Sequence, residues 1–150
     1  MRVALDTNVL AYAEGVNGPS MKSIALELLS KLPQASLVLP VQTLGELFQV
    51  LVRKAGRSPV HARSAILGWR DAFALFETSP GAMLAATDLA VNHHLGIWDS
   101  VILCAAAEAD CHLLLSEDMQ DGFIWQGVTI VNPFVRSRHP LLKALLDEQP

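Results

Sequence analysis

The chain is poor in the groups from which many common sites are built. Its two cysteines, Cys104 and Cys111, fall in an apolar helical stretch and beside a strand-like one. With no secretory signal ahead of them they read as reduced, buried thiols and not as a disulfide. The five histidines, His61, His93, His94, His112 and His139, show no zinc-ligand spacing. No strand-like run is followed by a Gly-x-Gly-x-x-Gly turn, which argues against a dinucleotide-binding domain. No apolar run approaches the roughly 18 residues of a membrane span. The opening Met1 to Asp6 is too short an apolar stretch for a signal peptide and reads as a first strand, so the expected location is the cytoplasm. Charged residues make up 17% and hydrophobic ones 51%, a balance that excludes a disordered chain. Repeats, low-complexity tracts and linkers are all missing. At 150 residues the economical expectation is a single domain.

One sign of charge is also absent over a long stretch. From Asp71 to Val135 there are nine acids and no lysine or arginine. By contrast, Arg53, Lys54, Arg57, Arg63 and Arg70 fall within eighteen residues that contain no acid. Arg136, Arg138 and Lys143 form a second, smaller basic group. A cation pocket wants the first composition and a polyphosphate partner the second. Ordinary solvated helix faces would account for either half alone.

What is present is an alternation of short apolar runs and helical periods. Arg2 to Leu5, Ser36 to Leu39, Ala74 to Glu77, His112 to Leu115 and Val128 to Val131 read as strands. Helices are expected over Thr7 to Glu14, from Ser20 to Leu32, over Val41 to Ala55 with Gly56 ending it, and from Ser58-Pro59 to Phe73. Further helices are expected over Pro80 to His93, Asp99 to Ala109 and Pro140 to Leu146. Uninterrupted apolar strands alternating with helices predict an α/β fold with a mostly parallel sheet covered on both faces. Ligands of such folds gather beyond the carboxyl ends of the strands.

Two acids stand at such ends. Asp6 follows the first strand, and Asp118 lies just past the fourth in Ser116-Glu117-Asp118. Glu46 sits between Leu44 and Leu47-Phe48, near the apolar side of its helix, where a charge is costly unless paired or bound to a metal. Asp99 heads another helix. Asp6 and Asp99 have a plainer alternative as helix caps, and negative charge at a helix N-terminus serves either role. Glu117 is expected to point away. Asp121-Gly122 is a turn signal that needs no function. Four carboxylates far apart in sequence suit a hard divalent cation, which takes oxygen ligands and leaves room for waters and a phosphate. That chemistry points to cleavage of a phosphodiester. Trp69 and Trp98 are candidates either for the core or for stacking on unpaired bases.

In order and spacing, Asp6-Thr7-Asn8-Val9-Leu10, Gly45-Glu46-Leu47, Trp98-Asp99-Ser100-Val101-Ile102 and Ser116-Glu117-Asp118 resemble the four acidic motifs of the PIN-domain nucleases. In length the chain looks most like the VapC-type ribonuclease toxins of toxin–antitoxin pairs. The resemblance extends to about Pro133, and residues 134–150 are expected as a tail or helix of the same single domain. It implies a three-layer α/β/α sandwich, Mg²⁺- or Mn²⁺-dependent endoribonuclease activity, a homodimer, and a small antitoxin partner. It also implies Asp6, Glu46, Asp99 and Asp118 as metal ligands and catalytic residues, supported by Asn8 and Ser116; Asp121, in the same turn as Asp118, is a further supporting candidate. Arg53, Lys54 and Arg57 are the expected contacts to the RNA backbone. An inhibitor would insert a cationic side chain among the acids and lay an apolar helix against Leu10, Leu28, Leu29 and Phe48. The alternative is a catalytically silent PIN-like module that binds RNA or protein.

Overall fold

The strand at Arg2–Leu5 (β1) lies at the centre of a six-stranded sheet, and its Val3, Ala4 and Leu5 are fully enclosed. The computed structural model describes residues 1–148. Helices α1 (Thr7–Ala13) and α2 (Pro19–Lys31) lead to β2 (Leu37–Pro40), which pairs with β1 in parallel. Helices α3 (Val41–Arg53) and α4 (Pro59–Ala72) then lead to the parallel edge strand β3 (Ala74–Phe76). From there α5 (Pro80–His93) and α6 (Ile97–Glu108) carry the chain across to β4 (Cys111–Leu115), on the other side of β1. A short strand β5 (Ile124–Trp125) turns back antiparallel on β6 (Val128–Val131), and α7 (Pro140–Asp147) follows. The sheet order is β3-β2-β1-β4-β6-β5. This is the expected α/β sandwich with a mostly parallel sheet.

Side-chain alternation along the strands divides the core in two. Val3, Leu5, Leu37, Leu39, Leu113, Leu115 and Val131 face one cluster, shared with residues of α1 to α4 and α7. Ala4, Val38, Leu114, Val128 and Ile130 face the other, closed by α5 and α6. The α5–α6 layer is built largely of small residues, among them Ala82, Ala86, Ala105 and Ala106, which lets two helices lie close to each other and to the sheet. Each fully buried leucine contributes on the order of 1.5–3 kcal/mol, so two such clusters hold the sheet rigidly between them.

Several boundaries differ from the sequence expectation. Helix α2 starts at Pro19 after Gly18, which adopts φ 97°, and not at Ser20. Helix α6 starts at Ile97 with Gly96 as its N-cap, so Asp99 lies inside the first turn. Strand β5 was not expected, because two residues carry no readable alternation; its pairing with β6 creates it. The described residues after Pro133 pack against the first cluster. Phe134 packs edge-on against Tyr12 at 5.2 Å, and Leu142 and Leu145 are buried in the first cluster. The last two residues of the expected tail, 149 and 150, lie outside the described ones. Both cysteines are buried and free, and burial pushes the Cys111 thiol up to about 11, so neither is a ready nucleophile.

Candidate active site

The chain changes direction at β1. Its crossover through α1 and α2 builds the sheet on one side, and the return through α5 and α6 builds it on the other. The crevice at such a switch point lies at the carboxyl ends of the two central strands, β1 and β4. The residues that leave those ends are Asp6 and Ser116, and both are buried.

Asp6 performs two tasks. As N-cap of α1 it accepts the Thr7 N–H on Oδ1 at 2.8 Å, so the capping role is real. Its Oδ2 accepts the Ser116 hydroxyl at 2.7 Å, and Asp6 lines an open groove of about 630 Å³. Burial pushes the Asp6 carboxyl up to about 6; the Ser116 and Thr7 hydrogen bonds pull against that, and Glu46 and Asp99 add to it. Ser116 Oγ also receives the Asn8 amide and the Asp118 N–H, each at 3.3 Å. Asn8 reaches Asp118 Oδ2 at 3.3 Å and accepts the Glu117 N–H at 3.2 Å. One hydroxyl and one amide thus tie the end of β1 to the end of β4.

Glu46 arrives from α3, half-buried. Its Oε2 accepts the Thr7 hydroxyl at 2.7 Å, and its Oε1 accepts the Gln42 amide one turn earlier on the same helix. Asp99 lies in the first turn of α6 with no capping hydrogen bond, so the capping alternative fails for it. Desolvation raises its pKa, with Glu46 and Asp118 adding like charge. Asp6, Glu46, Asp99 and Asp118 all line the one groove, although 112 positions separate the first from the last.

Other expected residues divide. Asn8, Arg53 and Lys54 line the groove. Asp121 does not; its carboxylate accepts the Asn132 N–H at 2.9 Å and fixes a turn, which corrects its supporting role. Arg57 is also corrected. Its guanidinium pairs with the Glu14 carboxylate at 2.9 Å and donates to the Glu14 carbonyl at 2.6 Å, so it is committed to the fold. Trp69 donates to the same Glu14 at 2.8 Å, stacks on Phe73 and packs, partly buried, against the first cluster. Trp98 is exposed beside Asp99. Leu10, Leu28 and Leu29 are core residues, and of the four expected docking contacts only Phe48 reaches the surface. The reason is that Leu10 on α1 and Leu28 and Leu29 on α2 all pack into the first core cluster.

Thr7, Gln42, Tyr12, Asn17 and Gln49 were not singled out from the sequence. Only Gln42 carried a signal, its i,i+4 spacing to Glu46. Tyr12 is 8% exposed, and desolvation by its surroundings raises its hydroxyl pKa, with Glu117 next in effect.

The donor set is all oxygen, since no histidine or cysteine lines the groove. Among the described residues no three such side chains stand close enough to grip one ion together. Hydrogen bonds from Thr7, Gln42, Ser116 and Asn8 fix the orientation of Glu46, Asp6 and Asp118. Mg²⁺ characteristically takes one or two carboxylates and keeps several waters, so the groove fits such an ion without a closed cage.

A family model described as PIN domain matches residues 3–120. No curated protein matches the chain in sequence. Among solved structures, the sarcin-ricin loop cleaving toxin VapC20 of Mycobacterium tuberculosis is 16% identical. The alignment covers 75% of this chain and 86% of that one, with a TM-score of 0.63. A toxin–antitoxin complex from Klebsiella pneumoniae is 21% identical over 88% of this chain and 98% of its own, with a TM-score of 0.64. The FitAcB structure from Neisseria gonorrhoeae is 16% identical over 88% and 98%, with a TM-score of 0.62. At these identities the likeness is one of fold.

Proposed function

This chain belongs to the PIN domain family, and on that premise we propose that it is a divalent-metal-dependent endoribonuclease, the toxin of a toxin–antitoxin pair. The carrying observation is that four carboxylates from β1, α3, α6 and the β4 end line one groove at the sheet's switch point. Asp6, Glu46, Asp99 and Asp118 would hold Mg²⁺ or Mn²⁺. When bound, such an ion neutralises charge on a phosphate and lowers the pKa of a water to near neutrality.

The chain's own residues prepare that chemistry. Ser116 and the Thr7 N–H orient Asp6, Thr7 and Gln42 orient Glu46, and Asn8 orients Asp118. Donors of this kind fix ligand geometry and are often worth ten- to a hundredfold in metal affinity. Arg53 and Lys54, exposed at the other end of the groove, hold the RNA backbone by phosphate contacts.

The partners follow from the same charges. An antitoxin that places an arginine among the four acids would pair with them and exclude the cation. A homodimer and a cytoplasmic location complete the proposal. Exposed Leu84 and Val91 on α5, with Trp98 nearby in sequence, offer apolar surface to a second copy. No helix among the described residues is long and apolar enough to cross a membrane.

Purified protein incubated with structured RNAs, with Mn²⁺ and with EDTA, tests the chemistry. Cleavage only with metal is expected, and binding without cleavage under both conditions would favour the silent module. Co-expression with an adjacent small reading frame, then Mn²⁺ titration of the complex, tests the inhibitor. Full-strength metal binding in an inactive complex would rule out the cationic plug.

A further inference from the structure

The groove is longer than its acidic end requires. Beyond Asp6 and Glu46 it continues between the end of α1, with the loop after it, and the outer face of α3, where Tyr12, Asn17, Gln49, Arg53 and Lys54 line it. Glu46, Gln49 and Arg53 follow one another at helical spacing, so carboxylate, amide and guanidinium form a stripe about 10 Å long on α3. The Gln49 side chain is exposed and makes no hydrogen bond among the described residues. Asn17 lines the same groove from the loop in a left-handed conformation, φ 66°, with its amide within reach of the Tyr12 hydroxyl. Tyr12 itself packs edge-on with Phe134 and is only 8% exposed, so it offers little ring surface for stacking.

Resting on the ribonuclease reading above, the geometry points to a nucleobase subsite: Gln49 and Asn17 read the edge of one unpaired adenine beside the cleaved phosphodiester, and Arg53 and Lys54 hold the phosphate beyond it. An amide offers a donor and an acceptor in one plane, the pattern that pairs with adenine N6 and N7. Unpaired RNA bases expose such edges to side chains. A stacking platform would accept any base; a groove read by two amides, with little exposed ring, discriminates by hydrogen bonding. The same groove thus binds phosphate at one end by charge and selects sequence in the middle by hydrogen bonding.

The test uses a randomised single-stranded RNA pool cut by the full chain with Mn²⁺, the new ends being sequenced. Adenine enriched about tenfold at one position next to the cut is expected for the wild type. Gln49→Met keeps a good helix former, and Asn17→Gly keeps a residue at ease with positive φ. Each should reduce the enrichment to about threefold or less, whereas Arg53→Ala should weaken all sequences alike. Enrichment that survives both amide substitutions overturns the inference, as does a Gln49→Met protein that loses all sequences equally. Selecting bound RNAs on the Asp6→Asn protein reads the subsite without chemistry. Adenine enrichment there with no cleavage by the wild type would defeat the nuclease and spare the subsite. Ordinary cleavage with no enrichment in either assay would do the reverse.

Discussion

The two halves of the groove are made differently. At the acidic end three of the carboxylates are held by at least one protein donor, and Asp6 and its partner Ser116 are buried. At the other end Gln49, Arg53, Lys54 and Asn17 are exposed. Just behind that end, Arg57 and Trp69 are fully engaged by Glu14. The difference matches what the proposed function asks of each half. Groups that must present a fixed charge distribution are oriented before any ligand arrives. Groups that must follow a flexible strand keep their donors free. A charged side chain's value to binding is therefore read from what else it is doing, not from its place in a basic run.

The largest expected effect separates the halves most sharply. Asp6→Asn or Asp99→Asn should lower metal-dependent RNA cleavage by about a hundredfold or more, since electrostatic stabilisation by a bound cation is worth several kcal/mol and each 1.36 is tenfold. Circular dichroism should show an unchanged fold. Wild-type rates from either variant, with metal present, would place the chemistry outside the acidic end.

The second effect is on stability, in metal-free protein. Because burial raises the Asp6 carboxyl from 3.8 to about 6, the folded state holds its proton more tightly than the unfolded chain does. The stability associated with that proton is fully present below about pH 4 and is lost as pH rises through about 6. Asp6→Asn removes this dependence. Thermal melts in EDTA should show the variant gaining on the wild type between pH 4 and pH 7, by up to about 3 kcal/mol. An advantage that shrinks as pH rises would contradict the assignment.

Ser116→Ala comes next. It leaves all four carboxylates in place and removes the hydroxyl that Asp6, Asn8 and Asp118 share. Mn²⁺ titration should show affinity falling about ten- to a hundredfold. An unchanged affinity would mean that the backbone alone aims Asp6.

How far the sequence foretold this site depends on what fixed each residue. Asp6 and Asp118 were legible because strand ends are legible: four apolar residues in a row announce a buried strand, and the acid after it lies at its carboxyl end. Glu46 was legible as a charge among Leu44, Leu47 and Phe48, though Phe48 turned out exposed. Asp99 was legible only as the acid heading a helix, because Gly96 takes the cap and nothing local shows which way the first turn points. The sheet order and β5 were beyond reach, being set by long-range pairing. Glu14 was the costliest miss. It is unremarkable in sequence, yet its bonds to residues 43 and 55 positions away engage Arg57 and Trp69, two of the residues expected to meet RNA.

That miss frames the smallest prediction. Arg53, Lys54 and Arg57 lie within five positions and look equivalent in sequence. Taking one cation away from the phosphate backbone should lower the slope of log affinity against log salt by about one. Arg53→Ala and Lys54→Ala should each do so in RNA titrations across KCl concentrations, with little change in melting temperature, because both side chains are exposed and free of protein ion pairs among the described residues. Arg57→Ala should do the opposite. Its salt slope should stay near wild type while the protein loses about 1–3 kcal/mol, since Glu14 keeps the Trp69 bond but is left half-buried without its cation. Should all three variants share one salt slope change and one melting temperature, the division between free and committed cations would be wrong, and the basic run would be a single phosphate-binding face.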